Sequence, residues 1–188
     1  MNLFYEKIPD YIIVNDEKID IVTDFREVVK FIDILKSEEL NIEEKVMLTL
    51  QYFKQRPNDL SNALKTYWDF VKMKNVFSKE SEEEGNECEQ NIKILFSFES
   101  DYPYIYSAFL RDYNIDIQKI PYMHWWKFQM LFDGLDDNNE IKKRMMYRSI
   151  DVSKIKDKSE RRRIERIQRS IALIENQISD FDIGNAFM

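Results

Sequence analysis

The stretch Pro121-Tyr122-Met123-His124-Trp125-Trp126-Lys127-Phe128-Gln129-Met130-Leu131-Phe132-Asp133-Gly134 decides the fold. Proline at its head suits a first helical turn, and glycine at its end suits the left-handed residue that closes a helix. Between them, apolar and aromatic side chains fall on every side of a 3.6-residue period. A helix apolar all round is a buried one, so this segment is expected to run from Pro121 through the middle of a helical core. Trp125, Trp126, Phe128, Leu131 and Phe132 are its core positions, joined by Trp68 and Phe109 from other helices.

The rest of the 188 residues agrees with a mainly α fold. Only 3 glycines and 4 prolines are present, too few turn residues for a sandwich, a barrel or a glycine-loop enzyme. A chain of this length buries enough surface for one core, and a 14% aromatic content fills it. Tyr11 to Val14 and Ile19 to Val22 flank the turn-like Asn15-Asp16-Glu17-Lys18, which reads as a short β-hairpin lying on that core or paired with a further strand. Asp24 with Glu27, and Asn41 with Glu44, are capping-box starts of two helices. Asn58 or Asp59 caps a third, with face Leu60, Ala63, Leu64, Tyr67, Trp68 and Val71. Ile92 to Phe98 reads as a brief extended stretch, Asp101 and Pro103 open another helix, and Asn138 or Asn139 caps a short one. A long basic helix is expected from about Asp157 to Gln177. The organisation read from these elements is a helical core domain over 1–150 and a basic C-terminal helix and tail over 151–188. Within the core, 78–90 forms an acidic flexible linker with six glutamates against Lys79.

Catalytic chemistry has few candidates. His124 is the sole histidine and sits beside two tryptophans, where a packed, hydrogen-bonded core role is favoured over a ligand role. Cys88 lies among glutamates that raise a thiol pKa, and as the single cysteine it forms no internal disulfide, which fits a reducing compartment. No phosphate-cradling glycine loop and no nucleophile elbow occurs. The chain is therefore read as a non-enzyme with no cofactor and no metal. No apolar run of membrane-spanning length is present either.

Charge asymmetry says more. The chain carries −7 overall, yet 142–169 holds twelve Lys or Arg against four Asp or Glu, a local +8 that leaves −15 elsewhere. Such a segment can contact phosphate backbones, giving a nucleic-acid-binding regulator as one reading. Pairing with acidic protein surfaces is favoured, because the whole-chain field repels nucleic acid. Ile164, Ile167, Ile171, Ile174 and Ile178 recur at 3-4-3-4 spacing, a narrow seam on a charged helix. Ile164, Ile167, Ile171 and Ile174 are expected to contact another chain, with Arg161, Arg162, Arg163 and Arg166 steering acidic partner surfaces; a helix folded back on its own core is the alternative.

Four stretches carry a resemblance. They are Thr23-Asp24-Phe25-Arg26; Phe96-Ser97-Phe98-Glu99 running into Tyr104-Ile105-Tyr106-Ser107-Ala108-Phe109; His124-Trp125-Trp126-Lys127-Phe128 with Leu131-Phe132 and Gly134-Leu135; and Tyr147-Arg148-Ser149-Ile150-Asp151 followed by Lys154-Ile155-Lys156-Asp157-Lys158. Together they resemble the phage "gene product fifteen" family across most of 11–165, while the part beyond Arg166 and the acidic linker look particular to this chain. The resemblance implies a tail-assembly role without catalytic residues. The expected function is that of a chaperone shielding the tape-measure protein, with the major tail protein as a further partner, as a homo-oligomer in the bacterial host cytoplasm and absent from the mature virion. A minor virion tail component is the other reading of the same resemblance.

Overall fold

The computed structural model describes residues 2–74 and 95–173. The acidic 78–90 linker with Cys88, the start of the Ile92–Phe98 stretch, Ile174, Ile178 and the tail lie outside the described residues. The described residues fall into two units, one of 2–74 with 122–129 and one of 95–121 with 130–173. Seven α-helices and one two-stranded sheet are found among them.

The first unit opens with the hairpin, β1 Tyr11–Val14 and β2 Glu17–Asp20, in antiparallel register with Ile12 opposite Ile19. Its turn is Asn15-Asp16 alone, both with positive φ (50° and 64°). Those two residue types tolerate the left-handed region best after glycine, so the strand resumes at Glu17, two residues earlier than the hydrophobic run Ile19–Val22 suggests. Ile12, Val14 and Ile19 face inward, and β1 packs on the helix Leu60–Val71. The outer side of β2 is closed by residues 52–54, where Val22 N–H donates to Tyr52 O and Lys54 N–H to Asp20 O.

Helix α1, Phe25–Lys36, is capped by Asp24, which accepts from Arg26 N–H. Glu27 does not complete a capping box; its carboxylate takes Lys30 instead at 2.8 Å. Helix α2, Ile42–Thr49, does carry the full Asn41–Glu44 box. Helix α3, Leu60–Val71, is capped by Asp59. Phe31, Tyr52, Tyr67 and Phe70 interlock as edge-on and stacked rings. The Tyr67 hydroxyl donates to Val22 O at 2.8 Å, and burial pushes that phenol far above its ordinary pKa.

Helix α5 is shorter than its apolar run, Trp125–Asp133 rather than from Pro121. The reason is backbone pairing. Phe25 N–H donates to Met123 O (2.9 Å) and Trp125 N–H to Thr23 O (2.7 Å), which holds 121–124 extended beside 23–25. His124 then serves as the cap, its Nδ1 accepting from Trp126 N–H at 3.0 Å. Both indoles finish helix α3: Trp125 Nε1 donates to Val71 O and Trp126 Nε1 to Phe70 O, each at 2.8 Å. The last carbonyls of a helix have no partner within it, so Trp125 supplies the donor for Val71 O, while Trp126 adds a second donor to Phe70 O, which also accepts Met73 N–H at 3.0 Å. Phe128 stacks on Phe25 at 4.6 Å.

Residues 125–129 of α5 belong to the first unit and 130–133 to the second. The second unit holds α4 Phe98–Tyr113, α6 Glu140–Ser149, a 3-10 turn Val152–Lys154 and α7 Lys158–Ser170. Helix α4 begins three residues before Asp101, because Ser97 caps it and the Asp101 carboxylate accepts Ser97 N–H. Phe98 is therefore the first residue of a helix and 95–97 form no strand. Helix α6 follows Asn139, whose amide is spent on the Asp136 carbonyl and the Asp112 carboxylate rather than on a cap. Helix α7 ends at Ser170, not near Gln177, with Ile171 leaving helical geometry.

Of the expected core residues, Phe109, Trp125, Trp126, Phe128 and Phe132 are fully buried. Trp68 and Leu131 are only half-buried. Trp68 lies at the rim, where Lys72 extends over its ring at 5.2 Å.

Candidate functional site

Among the described residues, the histidine is absorbed by packing. His124 Nε2 donates to Pro9 O at 3.1 Å while Nδ1 accepts, a pairing that requires the neutral ring. Burial holds its pKa below the ordinary value. Among the described residues no group of three or more His, Cys, Asp or Glu gathers to hold a metal ion. Every buried side-chain polar atom there has a partner. What remains is surface, and the second unit has two surfaces of distinct chemistry.

The first follows from the burial of α6 and α7. Arg148 on α6 is 5% exposed and forms a fork onto Asp101 of α4, itself 1% exposed, with Nη1···Oδ2 2.6 Å and Nη2···Oδ1 3.0 Å. Its remaining donors reach Leu95 O (2.9 Å) and Ile171 O (2.8 Å). Gln168 adds two amide bonds, to Tyr147 O and Ile150 O. These contacts fix the rotation of α7. Ile164 and Ile171 turn inward and are buried, Ile167 is half-buried, and Ile174 lies outside the described residues. The expected docking seam is thus internal packing at Ile164 and Ile171.

With the isoleucines inward, the outer face of α7 is cationic. At 100° per residue, Lys158, Arg162, Arg166 and Arg169 lie within about 80° of one another, opposite Ile164 and Ile171. All four are exposed and have no acidic partner among the described residues. Two of the expected arginines behave otherwise. Arg161 pairs with Glu165 at 3.0 Å, and Arg163 with Glu160 at 2.8 Å. Bonds to Glu160 and Tyr147 hold the Arg163 guanidinium above its ordinary pKa. So Arg162 and Arg166 stand in the crest, Arg161 and Arg163 flank it in ion pairs, and Lys158 and Arg169 are members the sequence reading missed. Their i, i+4, i+8, i+11 spacing was the available signal.

The second surface is on α4. Tyr102 (63% exposed), Tyr106 (half-buried) and Leu110 (42% exposed) recur every four residues, so one face of this helix offers Tyr102 and Leu110 to solvent with Tyr106 partly covered between them. The adjoining face buries Asp101, Ile105, Ala108 and Phe109. Tyr104 is held between the faces, with Arg144 stacked on its ring at 3.9 Å and bonded to its hydroxyl at 2.9 Å. The sequence reading took only Phe109 of this helix as a core position and did not single out the outer stripe.

No helix of the described residues is long and apolar enough to cross a membrane. Residues 4–173 match the family model described as Bacteriophage Gp15 protein, a match that runs past Arg166. No curated protein and no solved structure matches the chain.

Proposed function

The chain belongs to the bacteriophage Gp15 protein family, and from that premise we propose that it is a tail-assembly chaperone acting by reversible protein binding, not by catalysis. The occupant of its binding surface is the tape-measure protein, with tail-tube subunits as competitors that displace it. The observation that carries this reading is the stripe on α4 formed by exposed Tyr102 and Leu110 with half-buried Tyr106 between them. A long helical protein awaiting its tube exposes apolar seams, and a helix face with anchors every four residues is shaped to lie along such a seam. Tyrosine suits a transient cover, since its ring supplies contact area while its hydroxyl keeps the unoccupied face wetted. A few weak contacts per copy, repeated along a filament, give avidity together with easy release. The stripe takes over the role that the sequence suggested for the α7 isoleucines.

Co-expression of the full chain with the tape-measure protein encoded by the same phage, followed by affinity capture, tests the proposal. Capture by the wild type and its loss in Tyr102→Glu/Leu110→Glu, at unchanged melting temperature, is the expected result. Equal capture by the double variant removes α4 as the site. Mass spectrometry of purified particles tests the transient role, because a chaperone that works in the host cytoplasm is absent from finished tails.

A further inference from the structure

The cationic crest of α7 is not used by the apolar stripe on α4, and it is out of keeping with the chain that carries it. Lys158, Arg162, Arg166 and Arg169 face solvent without a carboxylate among the described residues, in a protein of net charge −7. An exposed helix face is ordinarily a mixture of signs, as the pairs Arg161–Glu165 and Arg163–Glu160 on the flanks of the same helix illustrate. Duplex nucleic acid is a poor occupant, since the −15 carried outside 142–169 opposes its approach.

The complementary charge is in the chain's own sequence. Glu80, Glu82, Glu83, Glu84, Glu87 and Glu89 lie within ten residues that contain no lysine or arginine. We infer that the α7 crest is a self-association surface that receives the glutamate-rich segment Glu80–Glu89 of a second copy of this chain. The crest carries its four cations over about 16 Å, and the acidic segment carries six anions within ten residues of sequence. Each copy offers one crest and one acidic segment, so the contact is head-to-tail and closes into a dimer or ring, or runs on as a filament. Copies aligned that way would present the binding face of the chain repeatedly.

The test is sedimentation of the full chain across a salt series, with circular dichroism to show that each variant is folded. The wild type should associate at low salt and dissociate as the screening length falls below about 10 Å. An exposed pair contributes roughly 1.4- to 5-fold to an equilibrium. The triple change Arg162→Glu/Arg166→Glu/Arg169→Glu should therefore weaken association by roughly 3- to 100-fold. The reciprocal change Glu80→Lys/Glu82→Lys/Glu84→Lys should do the same. Combining the two sets, which restores opposite signs in the swapped sense, should restore association. A wild type that stays monomeric at low salt overturns the inference, as does a combined variant no better than either parent. Should crest reversal leave sedimentation unaltered while removing binding to a short DNA duplex, the crest is a phosphate site and the inference fails. Tape-measure capture through α4 is a separate readout, so this result and that one can fail independently.

Discussion

Replacing Arg148 by methionine removes the one side chain that joins four segments of the second unit. Its guanidinium satisfies both oxygens of Asp101, the carbonyl of Leu95 and the carbonyl of Ile171, all within 3.0 Å. Methionine fills much of the volume but donates nothing. Asp101, 1% exposed, is left as a buried carboxylate whose remaining bond is from Ser97 N–H. Breaking a buried ion pair on one side costs about 3–5 kcal/mol. Two stranded carbonyls add about 1 kcal/mol each where water cannot reach them. The sum is roughly 5 kcal/mol or more, against a typical domain stability of about 5–15 kcal/mol. Arg148→Met should thus unfold the second unit at moderate urea, and hydrogen exchange should show α7 opening first, since its last turn loses the Ile171 anchor. The control is Arg148→Met/Asp101→Asn. Removing both charges leaves no buried ion, so the double variant should be more stable than Arg148→Met alone. If Arg148→Met unfolds within about 1 kcal/mol of wild type, or the double variant is no better, the ion pair does not organise this unit as argued.

Other outcomes follow from the same contacts. Trp126→Ala should cost about 3–5 kcal/mol and Trp125→Ala at least as much, because each removes a buried ring and Trp125→Ala also leaves Val71 O without its donor; urea denaturation checks both. Ile171→Glu or Ile164→Glu should destabilise the second unit, whereas Arg162→Glu should leave its melting temperature within about 1 kcal/mol equivalent, since the first two are buried and the last exposed. For pH, the folded chain holds the His124 pKa below its ordinary value. The unfolded chain then takes up the proton first, so this contribution is complete above about pH 6.5 and is lost as pH falls below it. Denaturation midpoints measured from neutral pH down to about pH 5 should decline, and His124→Gln should flatten that decline. Asp24 titrates in a separate, lower range, because bonds from Arg26 and Met123 N–H overcome the effect of burial and lower its pKa.

Local chemistry was legible in the sequence wherever a few neighbouring residues suffice. Asn41 with Glu44, Asp59 before Leu60, Asp157 before Lys158 and the positive-φ pair Asn15-Asp16 each act within four residues of themselves, so the pattern alone located three helix starts and a turn. The helical class and the buried tryptophan pair were legible for the same reason, since apolar periodicity and a shortage of glycine need no knowledge of the partner. Tertiary structure decided the rest. The run from Pro121 reads as helix by composition, yet 121–124 is extended because Thr23 and Phe25 supply backbone partners about a hundred residues away. Ile164 and Ile171 read as a docking seam, yet they face inward because Arg148 and Gln168 fix the rotation of α7. That rotation also sets Lys158, Arg162, Arg166 and Arg169 on the solvent side, while the packing of Ile105 and Phe109 does the same for Tyr102 and Leu110. Spacing along a helix states which residues share a face; only the long-range bonds that hold the helix state which face is covered.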